Sequence, residues 1–433
     1  MPAMRYLTLL LVLLLSVGRA PRAMSQDASV PRVKDDAVGC IRVRASPQAA
    51  AAELGCVYAG AQLRLVGSAP YWWRIETLDT PPRVGWVAKK FIQEPTAPPS
   101  TETTIREDAW LEVHFVDVGQ GDAIWIRTFD DGIAGNRRYD GRNIVIDGGP
   151  DGSDGSNAFL RYLYAHAHQG AVIDAMILSH PHDDHYPGAI GLLRHFDVMS
   201  FYDGGFPKTG VKYANFRSVV DGKRVGGQPI RQYAGMQNFA TPNWGSELRA
   251  EFLYAWPGAG QDTALGSAST LENNASVVLK LTYGDHSFLF MGDAEGKGRN
   301  DPADEPRYVE RRLLANPGAA ALRSTVLKVA HHGSETSSTL PFIRAVDPRY
   351  VVVMSGRRSY GGTYLPDAST LGRYCAHNPE TRILRTDQDD EQEGRTASTD
   401  ADGDHIVIRT NGKAMLVQAY SAGVQITPTA CRP

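Results

Sequence analysis

"ILSHPHDDHYPG", Ile177 to Gly188, sets three histidines and two aspartates within the six positions from His180 to His185. The aliphatic run before it, "VIDAMILS", reads as a buried strand that stops at His180. In H-x-H-x-D-H, His180 and His182 face one point, while Asp184 and His185 face a second. Imidazole nitrogen and carboxylate oxygen without sulfur suit zinc, and also manganese or iron. Left without a partner, such a cluster would be costly beside a hydrophobic core.

Outward from this stretch, two more apolar runs end in metal-ligand residues. "SVVLKLTYGDHSFLFMGDAEG" is a hairpin about Tyr283–His286 whose return strand stops at Asp293. "STVLKVAHHGSETSS" is a strand stopping at His331. Upstream, the runs Val113–Val118 and Ala123–Ile126 flank "GQGD", a hairpin turn. "RNIVIDGG" is a strand ending at Asp147, and a helix follows, capped by Ser156 or Asn157. "RYVVVMSG" and "DHIVIRTNG" add two further strands. In layered α/β folds, sites assemble where strand ends and their loops converge. A single ion cannot use so many ligands and keep an open position, whereas two can. Asp293 is expected to bridge them. His331 or His332 completes the second shell. His331 is expected as the ligand and His332 as the group nearer substrate, although the sequence does not separate the two.

Composition sets the frame. The chain has 433 residues, enough for two or three domains, with 42% hydrophobic and 21% charged residues. A formal net charge of −3 excludes a dedicated nucleic-acid coat protein, which would be strongly basic. Residues 1–25 read as a signal peptide: Arg5, then the apolar "YLTLLLVLLLSV", then small residues around Ala20 and Ala23. No other stretch is long and apolar enough to span a membrane, so the mature chain is expected to be periplasmic or secreted, with no transmembrane span. Export permits disulfides. Four cysteines allow three pairings, of which Cys40–Cys56 with Cys375–Cys431 is the simplest.

Residues 38–94 carry short β-rich runs, "CIRVRAS", "CVYAGAQLRLVGSA", "YWWRIETL" and "RVGWVAKKFI". This succession resembles the bacterial Src-homology-three-like barrel, which implies cell-wall contact. Trp72, Trp73 and Trp86 would line its groove or fill its core. A Pro/Thr/Ser-rich linker, residues 95–107, leads to the larger domain, residues 108–433.

H-P-H-D-D-H, with "VDVGQGD", "IDGG", "NNASVVLKL", "FLFMGD" and "VLKVAHHGSETSS", resembles the metallo-β-lactamase superfamily. Within it, the motifs are similar to the hydrolase domain of the ComEC competence proteins. The resemblance implies an α/β fold, an αββα sandwich, preceded here by the small all-β barrel. It implies two divalent ions: zinc, with manganese as the alternative. His180 and His182 would hold the first, and Asp184, His185 and His331 or His332 the second. It also implies substrate contacts from Asn273 and Asn274, the subgroup's Asn-Asn pair, while the middle histidine of the β-lactamases proper has no clear counterpart here. "SYGGTYLP" lacks the histidines usual in the subgroup at this place.

The chemistry expected is hydrolysis by a metal-bridging hydroxide, with Asp184 orienting it, Asp293 spacing the ions and His332, Asn273, Ser334 and Lys328 facing the oxyanion or product. Lys328 is otherwise read as a snorkelling strand residue. A phosphodiesterase or nuclease is the first reading. Residues 201–266 interleave Lys208, Lys212, Arg217, Lys223, Arg224 and Arg231 with Phe206, Tyr213, Phe216 and Tyr233, which suits a nucleic-acid strand or a self-packed surface loop. Hydrolysis of a lactone, β-lactam or phosphocholine ester is the alternative. A wall- or metal-binding protein with a silent hydrolase fold is the alternative of another class. "DADGDH", Asp400 to His405, resembles the start of a calcium loop but has Asn411 rather than glutamate at the twelfth position, so it reads as a solvated acidic loop.

Overall fold

The computed structural model describes residues 31–34, 36–61, 63–69, 71–77, 83–93, 109–128, 141–150, 157–167, 170–239, 242–245, 247–258, 264–266, 268–356, 358–390, 401–428 and 430–431. The expected signal peptide and linker lie outside the described residues. Two compact units, Met1–Pro99 and Ser100–Pro433, make up the chain.

In the first unit, five strands form one antiparallel sheet in the order Glu53–Val57, Ile41–Arg44, Val84–Ala88, Trp72–Thr77, Leu63–Ala69. Ile41, Val43, Ile75 and Val87 alternate inward, as a half-buried sheet requires. Trp73 joins this core at 8% exposure, whereas Trp72 and Trp86 are half-buried. Cys40 is bonded to Cys56.

The second unit is built on two sheets. One has nine strands, in the order Arg231–Ala234, Ser200–Asp203, Ala175–Ile177, Asn143–Ile146, Ile124–Arg127, Leu111–Phe115, Ile406–Thr410, Met415–Ser421, Val424–Ile426. The other has six, in the order Leu248–Tyr254, Val278–Tyr283, His286–Phe290, Val326–Lys328, Tyr350–Val353, Arg382–Arg385. Ile124, Ile126, Ile144, Ile146 and Ile177 of the first pack against Leu279, Leu281, Phe288, Phe290, Val326 and Val352 of the second. The alternate residues point the other way, to helices. Trp125, Val145 and Met176 meet helices Ala158–His166, Pro187–His195 and Val211–Gly222. Leu289, Leu327, Val351 and Val353 meet Tyr308–Leu313, Leu340–Val346 and Ala368–His377. Period-two alternation with both faces buried dictates these four layers, helix, sheet, sheet, helix. Asn157 caps the first helix, its side chain accepting from the Leu160 amide at 2.8 Å. Cys375 is bonded to Cys431.

The basic and aromatic stretch is partly a helix, Val211–Gly222, and its rings face inward. Tyr213 and Phe216 are buried against Tyr186, and Tyr233 stacks on Tyr202. The i, i+3, i+7 spacing of Tyr213, Phe216 and Val220 makes them core, which removes them as an exposed stacking platform.

The segment after His332 is held from beneath. Fully buried Glu310 accepts from the Ser338 amide at 2.5 Å, the Thr339 amide at 2.9 Å and the Thr339 hydroxyl at 2.5 Å. Arg373 donates to the carbonyls of Ser338 at 2.8 Å and Ser337 at 2.7 Å. Glu310→Ala would strand three buried donors, so a loss of at least about 3 kcal/mol in urea unfolding is expected. Glu310→Gln, which keeps one acceptor, should lose less.

Candidate metal centre

His180 and Asp293 each lie three residues beyond the last residue of a strand, Ala175–Ile177 and His286–Phe290, and His331 and His332 follow Val326–Lys328. The loops that bring these ends together pack backbone on backbone. A Cβ on Gly121 would stand 2.1 Å from the Asp184 carbonyl oxygen, and one on Gly148 2.1 Å from the Ala189 nitrogen. Gly121 also holds φ +141°, so "GQGD" and "IDGG" need glycine here to seat the histidine-rich loop.

Two groups of donor atoms result, His180, His182 and Asp293 in one, Asp184, His185 and His332 in the other. They face a common centre. Asp293 Oδ2 lies 3.6 Å from His180 Nε2, 3.4 Å from His185 Nε2 and 3.3 Å from His332 Nε2. Asp184 lies 3.7 Å from His185 Nε2 and 3.5 Å from His332 Nε2. His185 Nε2, His332 Nε2 and Asp293 Oδ1 are buried with no hydrogen-bond partner. Orphaned donors ringed at this spacing, all nitrogen or oxygen, fit divalent cations.

The tautomers agree. His332 Nδ1 lies 2.7 Å from the Met354 carbonyl oxygen, so it must donate, leaving the Nε2 lone pair for an ion. His185 Nδ1 sits 2.8 Å from Asp147 Oδ2 and presents Nε2 in the same way.

The geometry corrects the expectation that His331 is the ligand and His332 the group nearer substrate. His331 (φ 50°, ψ 46°) and His332 (φ 52°, ψ 27°) are both left-handed, a conformation costing non-glycine residues about 1–2 kcal/mol each. That turn sends the two rings apart. His332 is buried beside Asp184 and His185, whereas half-buried His331 reaches Thr336 Oγ1 at 2.9 Å and Glu295 at 3.2 Å.

Beneath the donors lie Asp147 and Asp122, to which the sequence assigned no role, and Lys328, which is turned to Asp122 rather than to a substrate. Asp147 also accepts from the Ser179 amide at 2.7 Å and its hydroxyl at 2.6 Å. Asp122 pairs with the Lys328 ammonium, and Lys328 donates to the Gly292 carbonyl at 3.1 Å. Lys328 is fully buried, so it does not snorkel. Asp147 stands second in "IDGG" and Asp122 closes "GQGD", which was the available signal.

The titration behaviour follows. Burial alone would lower His185 and His332, but the carboxylates of Asp293 with Asp147, and of Asp293 with Asp122 and Asp184, hold both well above the ordinary histidine range. Burial would raise Asp293, but His332, His185 and His180 hold it well below the usual range. Burial lowers His180 and His182.

Substrate-facing assignments divide. Asn274 is fully buried and spent, donating to the Leu265 carbonyl at 2.8 Å and accepting from the Glu295 amide at 2.8 Å. Ser334, 2% exposed, accepts from Thr336, so it shapes its turn rather than facing substrate. Asn273 stays beside the centre, donating to Glu295 Oε1 at 2.9 Å with its Nδ2 3.4 Å from His331 Nε2. Glu272 meets His182 Nε2 at 2.8 Å. From "SYGGTYLP", Tyr360 directs its hydroxyl to Asp184 Oδ2 at 3.4 Å.

Asp147→Ala should lower metal affinity about 10–100-fold by freeing the His185 ring, read by competition with a chromogenic chelator. The raised pKa values of His185 and His332 mean that an ion binding either Nε2 competes with a proton there. Metal binding should therefore release protons and strengthen as pH rises, measured by calorimetry in buffers of different ionisation enthalpy.

Comparison with known proteins accords with this geometry. The chain is 26% identical over 272 residues to the uncharacterized protein YcaI of Escherichia coli (strain K12), covering 62% of this chain and 28% of that one. It is 29% identical over 216 residues to the competence protein ComA of Neisseria gonorrhoeae, covering 50% and 24%. The chain thus spans about a quarter of the length of these relatives. Among solved structures, the metallo-beta-lactamase fold protein YhfI from Bacillus subtilis aligns at 11% identity and a TM-score of 0.36, over 64% of this chain and 97% of that one. The model of the metallo-beta-lactamase superfamily matches residues 120–357, the stretch holding every donor described above, and the chain belongs to that superfamily, whose members are typically metal-dependent hydrolases.

Proposed function

We propose that this protein is an exported two-metal hydrolase of phosphodiesters, with nucleic-acid strands as its substrate class. The observation that carries the reading is the pair of all-nitrogen-and-oxygen donor groups, His180–His182–Asp293 and Asp184–His185–His332, meeting at one centre. Its likeness to a competence protein supports the choice of phosphodiester over carbonyl substrate. Two divalent ions, zinc or manganese, would supply an activated water and positive charge against the attacked group.

The chain's own residues do the rest. Asp293 sets the spacing of the two donor groups. Asp184 orients the attacking water. Tyr360, hydrogen-bonded to Asp184 and half in solvent, is placed to hold a substrate oxygen. His331, backed by Glu295 and Thr336, is placed to protonate the leaving oxygen. Lys328 and Asp122 keep the floor of the site fixed and dry.

Export is supported by the cysteines, all four of which are paired. The N-terminal unit serves as a Src-homology-three-like wall-contact module, with Trp72 and Trp86 half-exposed for a ligand.

The test is turnover of bis-p-nitrophenyl phosphate, single-stranded DNA and nitrocefin by the zinc- or manganese-loaded protein. His332→Ala and Asp293→Ala should lose both metal and phosphodiester cleavage. His331→Ala should keep its metal while kcat falls about 100-fold or more. Nitrocefin cleavage alone would replace the reading with a lactamase, and silence with metal bound would end the hydrolytic one.

A further inference from the structure

The acidic segment that the sequence presents as solvated is not solvated at its core. Asp404 is fully buried and Asp390 is 4% exposed, with Asp402 half-buried between them in sequence. One oxygen of each lies within 4.8 Å of the others. Residues 391–400, including Asp400, lie outside the described residues.

We propose that Asp390, Asp402 and Asp404 form a separate cation site for calcium, which fastens this segment to the loop running into the metal centre. The second observation is Asp404 itself. Its Oδ1 accepts from the Ala422 amide at 2.6 Å, while its Oδ2 is buried with no hydrogen-bond partner. A buried carboxylate oxygen without a donor is what a cation completes.

Asp117 builds the site without serving as a ligand. Its Oδ2 accepts from the amides of Asp402 at 2.8 Å, Gly403 at 3.0 Å and Asp404 at 3.3 Å, and its Oδ1 from the Gly119 amide at 2.9 Å. The chain can wrap one carboxylate so closely because Gly403 holds φ +102°. This wrapping sets Asp402 and Asp404 beside Asp390. Burial, then the neighbouring carboxylates, push Asp404 up to about 8, so the group is held together against its own repulsion.

The donor chemistry separates this site from the histidine-rich one. Its ligands are oxygens alone. The adjoining His405 spends Nδ1 accepting from the Asp117 amide. Oxygen donors select a hard cation, and an irregular carboxylate set suits calcium, which tolerates varied geometry, better than magnesium. From Asp117 the chain passes through Gly119 and Gln120 to Asp122, whose amide donates to the Asp184 carbonyl at 3.3 Å. Calcium bound here would therefore steady the loop that carries Asp122 under the metal centre.

The site stands independently of the hydrolase reading, and its test needs no substrate. Zinc-saturated full-length protein is titrated with CaCl2 by calorimetry, and its Tm is followed with 5 mM CaCl2 or MgCl2. One calcium per chain and a Tm rise of about 5 °C are expected, with a smaller rise for magnesium. Asp404→Asn keeps the acceptor for Ala422 and loses the charge, so it should keep its zinc and lose both calcium signals. Asp390→Asn should do the same, and it decides the matter if the first variant misfolds. No calcium binding by the parent, or equal binding by the variants, would overturn the proposal.

Discussion

The second unit depends on one electrostatic constraint: four carboxylates are buried around the His185 ring, Asp122 and Asp147 beside its Nδ1 and Asp184 and Asp293 beside its Nε2. Asp122, Asp147, Asp184 and Asp293 are all at most 7% exposed, and among the described residues Lys328 is the buried ammonium paired with them. Four anions against one fixed cation would drive the strand ends apart unless positive charge is added. Protons on His185 and His332 would supply some, and the same carboxylates hold both rings well above the ordinary histidine range. Divalent ions would supply more and leave the imidazoles neutral. The repulsion that makes the centre a cation site is also what the surrounding fold must contain.

That containment explains the stiffness around the centre. The strands feeding it pack in two sheets with both faces covered, so their ends cannot splay. The loops beyond them are fixed by glycines that admit no side chain, by two consecutive left-handed histidines, and by Glu310 and Arg373 gripping the backbone of Ser337–Thr339. Backbone strain at His331 and His332 persists because the neighbouring contacts over-determine it. Its effect is to point one ring at the centre and the other toward solvent.

Much of this was legible in the sequence because it is carried by local pattern. Apolar alternation marks the strands, and a ligand residue just past each strand end marks their convergence, so His180, His182, Asp184, His185 and Asp293 stood out together. What was not legible is carried by backbone torsion or by distance along the chain. His331 and His332 differ only in the direction a left-handed turn gives them. Lys328 looks like any strand lysine until Asp122 arrives from another sheet. Tyr213 and Phe216 look like a stacking surface until the helix that holds them turns its face inward. Asp390 and Asp404 look like surface charge because composition cannot report that Asp117 draws the chain around itself.

The two donor groups are not equivalent, and the difference has a direction. His185 and His332 are fully enclosed, each with its Nδ1 occupied by the protein, so the second group is fixed before any ligand arrives. The first group is open on one side: the His182 side chain is 24% exposed and shares its Nε2 with Glu272, itself paired with Lys208 at 2.5 Å. Asn273 holds Glu295 and faces His331 beside it. An ion in the first group would thus meet softer constraint and more water. Glu272 and Asn273, adjacent in sequence, tie this side to His182 and to His331 respectively. The closed group is preformed by the protein, and the open group is the one that solvent reaches.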